Sequence, residues 1–213
     1  MLNKIPSPLL EFYNPLSPWE SFYLKTRWRL CPYELLESFV PKRGKILDFG
    51  CGYGLFANLL TLRSPDRFLV GIDLNSRRIT SAIRSSGARS NIIFKCGDVG
   101  DLHSTPFDAV VMTDVLHHID DSGARLLLQK INACLHPEGI LVILDVDNRP
   151  FWKFLIAYLV DRSLNPGNYL WYRPLTRMSN LLASAFFRID NVISANKNLP
   201  ISDIIYLCRK GRS

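Results

Sequence analysis

A glycine-rich turn with an acid in front of it is the strongest chemical signal in this sequence of 213 residues. Residues 46–54 read Ile-Leu-Asp-Phe-Gly-Cys-Gly-Tyr-Gly, so an apolar run ends in Asp48 and leads directly into Gly50, Gly52 and Gly54. Glycine permits a positive φ and lets a ligand approach without a Cβ clash. A dinucleotide site would carry Gly-x-Gly-x-x-Gly, a spacing that this turn lacks. Because the Asp48 carboxylate would repel a pyrophosphate but suit an ammonium group, the turn predicts a site for a cationic, phosphate-free nucleoside.

Two further acids follow apolar runs of strand length. Asp73 lies nineteen residues after Gly54, a distance at which an acid at the tip of the second strand accepts both ribose hydroxyls. Asp98 follows the third run, where its carboxylate can accept an adenine amino group while Val99 covers the ring. Each acid alone could be a helix cap or part of a solvated loop, but three acids at successive strand tips favour a nucleoside pocket.

The elements that position these acids alternate between strands and helices. Apolar runs of strand length occupy residues 45–49, 67–72, 91–95, 108–113 and 139–145. Stretches of helical length and period lie between them, at residues 55–62, 76–85 and 121–135. Strands buried on both faces have such continuous apolar runs, and their alternation with helices predicts a parallel sheet. The fold class is therefore predicted to be a doubly wound α/β domain.

The two ends of the chain have other patterns. Residues 1–17 contain three prolines and no period, which predicts an extended lead-in, whereas residues 18–40 have helical spacing. After the fifth strand, two helices are predicted at 151–160 and 174–185 and an antiparallel strand pair at 186–194 and 203–209. The prediction is a single domain over residues 1–213, divided into an N-terminal helical cap (1–40), a core (41–146), a helical lid or insert (147–185) and a C-terminal hairpin (186–213).

Composition excludes several classes of protein. Hydrophobic residues make up 47% and charged residues 21% of the chain, which is ordinary globular usage. The five cysteines are widely spaced and form no CxxC pair, so neither a zinc site nor a disulfide framework is predicted. With no signal-peptide pattern and no apolar stretch near the ~20 residues that span a bilayer, the expected location is the cytoplasm.

Charge is distributed unevenly along the chain. The net charge is +7, and residues 149–213 hold 10 Lys and Arg against 3 Asp and Glu. Such asymmetry can mark contact with phosphate, nucleic acid or an anionic membrane, or can simply be a solvated basic surface.

Five motifs in order resemble the class I S-adenosylmethionine-dependent methyltransferases: LDFGCGYG, GIDL, CGDV, FDAVVMTDVLHHI and LHPEGILVILD. The resemblance is close over residues 40–146, and the hairpin agrees in outline. It implies a Rossmann-like, seven-stranded, mostly parallel sheet with an antiparallel last strand, and S-adenosylmethionine as the cofactor. It further implies that Asp48 and the three glycines hold the methionine end of the cofactor. It also implies that Asp73 and Leu74 contact the ribose side of the cofactor and that Asp98 and Val99 contact its adenine. Thr113 and Asp114 would lie behind the sulfonium.

A base is required only if the methyl acceptor must lose a proton. His117 and His118 follow the fourth strand at the predicted mouth of the pocket, and histidine titrates near neutral pH. Both are candidate catalytic residues, although one ring in such a pair often only packs against the following helix. The sequence leaves this alternative open.

Aromatic and basic residues are concentrated in the insert after the fifth strand. Trp152 and Tyr172 are candidates to enclose an apolar acceptor, and the arginines of the insert could bind its acidic group. The same composition suits peripheral contact with a membrane, and core packing is the plain alternative. In the N-terminal cap, Tyr23 and Arg27 are candidates to close over the cofactor or the substrate.

Several subclasses are disfavoured. Enzymes that methylate planar amines carry an Asn/Asp-Pro-Pro-aromatic turn after strand four, where this chain has Thr113-Asp114-Val115-Leu116. Metal-dependent catechol methylation needs an Asp-Asn pair ending strand five, but residues 147–148 come two positions late, so no metal is predicted.

The preferred hypothesis is a methyltransferase acting on a small, hydrophobic and acidic acceptor, lipid-linked or carrier-linked, nearest to the quinone-type branch. An RNA methyltransferase using the basic last third is the second hypothesis, disfavoured because no RNA-binding module is recognisable. A non-catalytic sensor or partner subunit is the third. A DNA partner is not predicted, and the oligomeric state is left open.

Overall fold

The computed structural model describes residues 4–101, 106–146, 151–164, 169–195 and 203–211. Seven strands form one sheet: β1 Gly44–Phe49, β2 Arg67–Asp73, β3 Ile92–Cys96, β4 Phe107–Thr113, β5 Leu135–Val146, β6 Phe187–Ser194 and β7 Asp203–Lys210. Their order is β3-β2-β1-β4-β5-β7-β6. The first five strands are parallel, and β7 runs antiparallel to both β5 and β6. The predicted seven-stranded, doubly wound fold is confirmed.

Eight α-helices are present in the described ranges: α1 Ser7–Glu11, α2 Pro18–Leu30, α3 Tyr33–Ser38, α4 Leu55–Arg63, α5 Ser76–Ser86, α6 Asp121–Cys134, α7 Phe151–Leu164 and α8 Leu175–Ser184. Two short 3₁₀ turns, Val99–Asp101 and Leu116–His118, follow the ends of β3 and β4. The described helices include none with both the length and the apolar character needed to cross a membrane.

The sheet is covered on both faces, as its continuous apolar strands require. On one face the cap helices pack with α4 and α5, through residues such as Leu24, Leu36 and Leu59. On the other face α6 and α8 pack through residues such as Leu128 and Leu182. The helices cover the faces of the sheet and leave the carboxyl ends of the parallel strands as the place where a ligand can enter.

The N-terminus differs from the prediction. Residues 1–17 were expected to be extended because of their prolines, but α1 forms with Pro6 as its N-cap and Pro8 in its first turn. The first-turn N–H groups of a helix have no intrahelical partner, so proline is tolerated there. The expected extended lead-in is therefore wrong for residues 7–11.

Strand β5 also begins earlier than predicted. It starts at Leu135 rather than at residue 139, and its pairing with β4 shifts register between Phe107 and Ala109. Residues 136–139 thus form an irregular stretch of strand. Residues 165–168, between the two predicted helices of the insert, and residues 196–202, between the two predicted strands of the hairpin, lie outside the described residues.

Candidate active site

At two of the three glycine positions that follow β1, close packing leaves no room for a side chain. Gly50 and Gly54 both have a φ of +75°, which L side chains rarely adopt. A Cβ on Gly50 would lie 2.4 Å from Cγ2 of Val115, and a Cβ on Gly54 would lie 2.6 Å from Cζ of Phe94. These two glycines let the turn lie against its neighbours.

The third glycine faces open space. Gly52 has a φ of +54°, and in the described part of the chain a Cβ there would approach only the Tyr23 hydroxyl, at 3.9 Å. Its N–H donates to Oδ2 of Asp73 at 2.8 Å, while Oδ1 of Asp73 accepts from the N–H of Asn75 at 2.8 Å. Asp73 thus ties the glycine turn to the end of β2, and backbone is exposed to whatever occupies the space above Gly52.

A cavity of about 700 Å³ lies at the carboxyl ends of the strands. This volume is within the usual range for small-molecule sites. Ten of the predicted site residues line it: Tyr23, Arg27, Gly50, Gly52, Asp73, Leu74, Asp98, Thr113, Asp114 and His118. Six do not line it: Asp48, Gly54, Val99, His117, Trp152 and Tyr172. The structure therefore brings together residues from four strand ends and the N-terminal cap.

Asp48 is buried beneath the glycine turn. Burial, with a smaller contribution from the nearby Asp73 carboxylate, raises its pKa to about 7. The group is therefore only partly ionised at neutral pH and does not reach the cavity surface. A direct contact between Asp48 and a ligand ammonium stays a prediction.

Asp98 follows the end of β3 and lines the cavity. Its Oδ2 lies 3.2 Å from Nζ of Lys130, and its Oδ1 accepts from the Val99 N–H at 2.7 Å. The Val99 side chain is buried in the core against α6 and does not line the cavity. Leu126 of α6 lines the cavity and is largely exposed. The described geometry therefore offers Leu126, and not Val99, as an apolar cover.

Asp114 forms an ion pair with the N-terminal cap. Nη2 of Arg27 lies 2.5 Å from Oδ2 of Asp114, and both side chains are largely buried. The Cys31 thiol lies 3.5 Å from the same oxygen. Burial opposes ionisation of Asp114, but the Arg27 guanidinium and the His117 charge outweigh it, so the pKa of Asp114 is lowered. Asp114 has a φ of +55°, a strained value for a non-glycine residue, which this pair stabilises.

The two histidines have different surroundings. His117 is 1% exposed, and its Nδ1 lies 2.5 Å from Oδ1 of Asp145, at the end of β5. The Tyr172 ring stacks on the His117 ring at 5.3 Å, and the His118 ring lies 4.2 Å from it. His117 is therefore enclosed by protein and supports the residues around it.

His118 lines the cavity. Burial, followed by the neighbouring His117 charge, lowers its pKa from the usual 6.5 to about 4. Its Nδ1 is buried and has no hydrogen-bond partner in the described ranges. His118 is accordingly a neutral imidazole across the physiological pH range.

A further acid from β7 lies close to these groups. Asp203 is buried, and burial raises its pKa well above the usual value, with the Asp114 and Asp145 carboxylates adding to the effect. Arg27 and His117 oppose this shift without reversing it. Asp203 therefore keeps its proton to a higher pH than an ordinary aspartate does.

Ligand atoms of Asp114, His117 and Asp145 all lie within 4.8 Å of one another, a spacing that could accommodate a metal ion. The Arg27 guanidinium already neutralises Asp114, and a dication beside it would meet strong repulsion. The expectation that no metal is bound stays a prediction. The pair at 147–148, considered above as alternative ligands, lies outside the described residues.

The segment before α8 is anchored to the histidine turn. The Trp171 N–H donates to the His117 carbonyl at 2.6 Å. The buried Arg173 side chain donates to the carbonyls of Leu116 at 2.7 Å and Ile119 at 2.5 Å, and its Nε donates to Asp121 at 2.8 Å. Part of the predicted lid is thus a support for the turn that carries both histidines.

Sequence reasoning missed several of these residues. Asp145, Asp203 and Cys31 were not singled out for the site. Arg173 was considered only as one of the insert arginines that could bind an acidic group of the acceptor, whereas its side chain bonds to Asp121 and to the carbonyls of the histidine turn. An acid inside an otherwise apolar strand, as in Asp145 of β5, is the signal that could have identified the partner of His117.

The glycine turn, the acids at the strand ends and the cavity define a nucleoside-binding α/β protein. A family model described as "Methyltransferase domain" matches residues 23–188. The chain belongs to this family, and with it to the class I S-adenosylmethionine-dependent methyltransferases.

Named relatives agree with this assignment. The chain is 30% identical over 138 residues to the ubiquinone biosynthesis O-methyltransferase of Rhodopseudomonas palustris, covering 62% of this chain and 53% of that protein. It is 30% identical over 145 residues to the demethylmenaquinone methyltransferase of Thermotoga maritima, covering 65% of this chain and 58% of that protein. The chain thus spans little more than half the length of these relatives. An S-adenosylmethionine-dependent methyltransferase from Mesorhizobium loti shares the fold at a TM-score of 0.66 and 20% identity, covering 86% of this chain and 97% of that one.

S-adenosylmethionine is the cofactor of this family, and the cavity suits it. Gly52 leaves room where a side chain would protrude, and the cavity is lined by the carboxylates of Asp73 and Asp98. Carboxylates and the rings of Tyr23 and Tyr33 favour a cationic ligand.

Proposed function

We propose that this protein transfers a methyl group to a hydroxyl of a small hydrophobic acceptor of the quinone-precursor type, with His118 as the proton acceptor. The single observation that carries the proposal is that the neutral His118 imidazole lies in the wall of the same cavity as the glycine turn. S-adenosylmethionine supplies an electrophilic methyl group on a sulfonium centre.

The residues that hold the donor are on the β1 and β2 side of the cavity. Gly52 offers exposed backbone, Asp73 offers a carboxylate for ribose hydroxyls, and Tyr23 lies over the glycine turn with its ring 4.8 Å from that of Tyr53. Fixing both reactants in one cavity contributes about 7–11 kcal/mol of barrier reduction in well-oriented reactions.

His118 can act as a base despite its low pKa. A hydroxyl is weakly acidic at rest, but its proton becomes strongly acidic as the oxygen acquires a methyl group. A neutral imidazole then accepts the proton, and a low pKa keeps it neutral and available. His117, which does not line the cavity, is assigned a positioning role through its bond to Asp145.

The acceptor class is supported by the cavity lining and by the relatives. Val115 and Ile119, which flank the histidines in the chain, give the cavity apolar wall near His118. Two relatives are named for ubiquinone and menaquinone methylation. An acidic group on the acceptor has less support, because no arginine in the described part of the insert lines the cavity and the Arg27 guanidinium is already paired with Asp114.

The test is methyl transfer from S-adenosylmethionine to alkylated catechols and to short-chain demethylated quinols, followed by mass spectrometry. His118→Gln should lower kcat by about 10²–10⁴-fold, which is the usual contribution of a general base, and leave affinity for S-adenosylhomocysteine unchanged. Asp73→Ala should instead lose that affinity. His136→Gln, at an exposed histidine in β5, is the matched control and should change neither.

The pH dependence of methyl-transfer activity distinguishes His118 from an ordinary histidine as the base. Because only the neutral ring accepts a proton and its pKa is about 4, activity should stay level from pH 8 to about 5 and decline nearer pH 4. A decline centred near pH 6.5, or full activity in His118→Gln, would contradict the assigned base. A protein that binds S-adenosylhomocysteine but methylates none of these acceptors would overturn the acceptor class.

A further inference from the structure

Helix α7 presents an apolar stripe away from the protein. Phe151, Leu155 and Leu159 recur every four residues and therefore lie on one helix face, with Trp152 beside them. Their exposed fractions are 71%, 44%, 56% and 56% in the order Phe151, Leu155, Leu159, Trp152. We call these four residues the α7 stripe. Contiguous exposed apolar surface of this kind marks an interaction site.

Inward, α7 is attached to the rest of the molecule by a few contacts. Ala157 is buried and packs with Val146 at the end of β5. The Phe154 ring meets the Tyr172 ring edge-on at 4.8 Å, and Tyr172 in turn stacks on His117. The orientation of the stripe is therefore fixed by the same residues that support the histidine turn.

Positive charge accompanies the stripe. Nζ of Lys153 lies 5.5 Å from the Trp152 ring, and the exposed Arg162 falls on the same side of the helix as Phe151, about three turns later. Residues 149–213 as a whole carry 10 basic against 3 acidic residues. Large apolar and aromatic groups combined with Lys and Arg on one helix are complementary to an anionic lipid surface, which attracts basic residues and accepts apolar side chains.

We propose that the α7 stripe is a docking surface for anionic membrane lipids, with the helix lying in the plane of the headgroups. The contact is peripheral, in keeping with the described helices, which include none that could span a bilayer. Docking is independent of the proposed reaction. If the proposed acceptor is lipid-like, docking also brings it to the side of the molecule where Tyr172 links α7 to the histidine turn, and only this consequence rests on the proposed function.

The experiment is cosedimentation of the full chain with vesicles of phosphatidylcholine alone or of phosphatidylcholine mixed with phosphatidylglycerol. The wild-type protein should bind the anionic vesicles about tenfold or more tightly than the neutral ones, given about 1 kcal/mol for each basic residue near the surface. The triple variant Phe151→Ser/Leu155→Ser/Leu159→Ser should lose binding to both. Lys153→Gln/Arg162→Gln should lower affinity for anionic vesicles about tenfold and leave neutral binding unchanged.

The matched control is Trp19→Ser/Phe22→Ser, which removes two exposed apolar residues from α2. This variant should bind vesicles like the wild type. Affinity for S-adenosylhomocysteine, measured on every variant, reports that the fold and cofactor site are intact without requiring turnover. Equal binding to neutral and anionic vesicles, or unchanged binding by the triple variant, would refute the proposal. The proposal would also be refuted if the wild-type protein did not bind vesicles and was a dimer that the triple variant converted to a monomer. That result would mean that the stripe binds a second copy of the chain.

Discussion

The two sides of the cavity are built on different physical principles. On the β1 and β2 side, exposed backbone and the Asp73 carboxylate face the cavity directly, and the supporting contacts are local hydrogen bonds. On the β4, β5 and β7 side, charged groups are buried and bond mainly to one another, as Arg27 does to Asp114 and His117 does to Asp145. The first side is shaped to fit a ligand, whereas the second sets the charge state of the groups that a ligand meets.

Removing a charge from the buried side should have the largest effect on stability. Arg27→Met leaves the Asp114 carboxylate buried without its partner, which costs about 3–5 kcal/mol of unfolding free energy. Urea unfolding should show this loss. The double variant Arg27→Met/Asp114→Asn removes both charges and should recover much of it, because asparagine tolerates the positive φ of residue 114. A single variant as stable as the wild type would mean that the pair is solvated and that the two sides do not differ in this way.

The anchor of the histidine turn is the next most sensitive point. Arg173→Met deprives the Leu116 and Ile119 carbonyls of their donors, and about 2–4 kcal/mol should be lost. Arg177→Met is a matched control, because Arg177 is half exposed and pairs with the same Asp121. Its effect should stay below about 1 kcal/mol, as for surface ion pairs. Thermal unfolding of both variants measures the difference, and equal losses would argue against a special role for Arg173.

On the glycine side, two neighbouring substitutions should separate packing from ligand contact. Gly50→Ala forces a Cβ against Val115 and should cost about 1–3 kcal/mol of stability. Gly52→Ala has space for its Cβ and should cost only about 1 kcal/mol through backbone strain, yet it should weaken binding of S-adenosylhomocysteine. Denaturation and calorimetry together distinguish the two. If Gly52→Ala binds like the wild type, the open face of Gly52 is not where the cofactor lies.

The last effect is measured as a slope of stability against pH and comes from an acid whose pKa burial raises. The pKa of Asp203 is raised in the folded protein, so the folded state holds a proton that the unfolded state releases, and wild-type stability falls as pH rises above the ordinary Asp range. Asp203→Asn mimics the protonated form and should gain stability relative to the wild type as pH rises from 4 to 7. The gain is at most about 1.4 kcal/mol per pH unit. A stability difference that does not change with pH would show that Asp203 is ionised in the folded protein.

The sequence was sufficient to predict the cofactor side because its signals are local. A strand, an acid and Gly-x-Gly-x-Gly within nine residues specify a turn and a ligand-facing backbone, and the acids Asp73 and Asp98 were found by their position after apolar runs. What the sequence did not show is that Asp48 and Val99 are buried and do not line the cavity, and their contacts with the cofactor stay predictions.

The buried side could not be predicted because its partners are distant in sequence. Arg27 and Asp114 are 87 residues apart, and His117 and Asp145 are 28 apart. Adjacent histidines look equivalent in the sequence, and only the fold shows that His118 lines the cavity while His117 is enclosed. The proline-rich start was misinterpreted for another reason, since proline ends a helix in its interior but suits its first turn.

Because β7 lies between β5 and β6 in the sheet, the two sides of the cavity become complete at different times during synthesis of the chain. β7 is the last of the described strands to leave the ribosome, and both β5 and β6 lack their neighbour until it arrives. The glycine turn and the ends of β1, β2 and β3, which we propose hold the cofactor, are synthesised long before that point. The nascent chain can therefore assemble a recognition surface for the methyl donor before Asp203 arrives to complete the buried charge cluster.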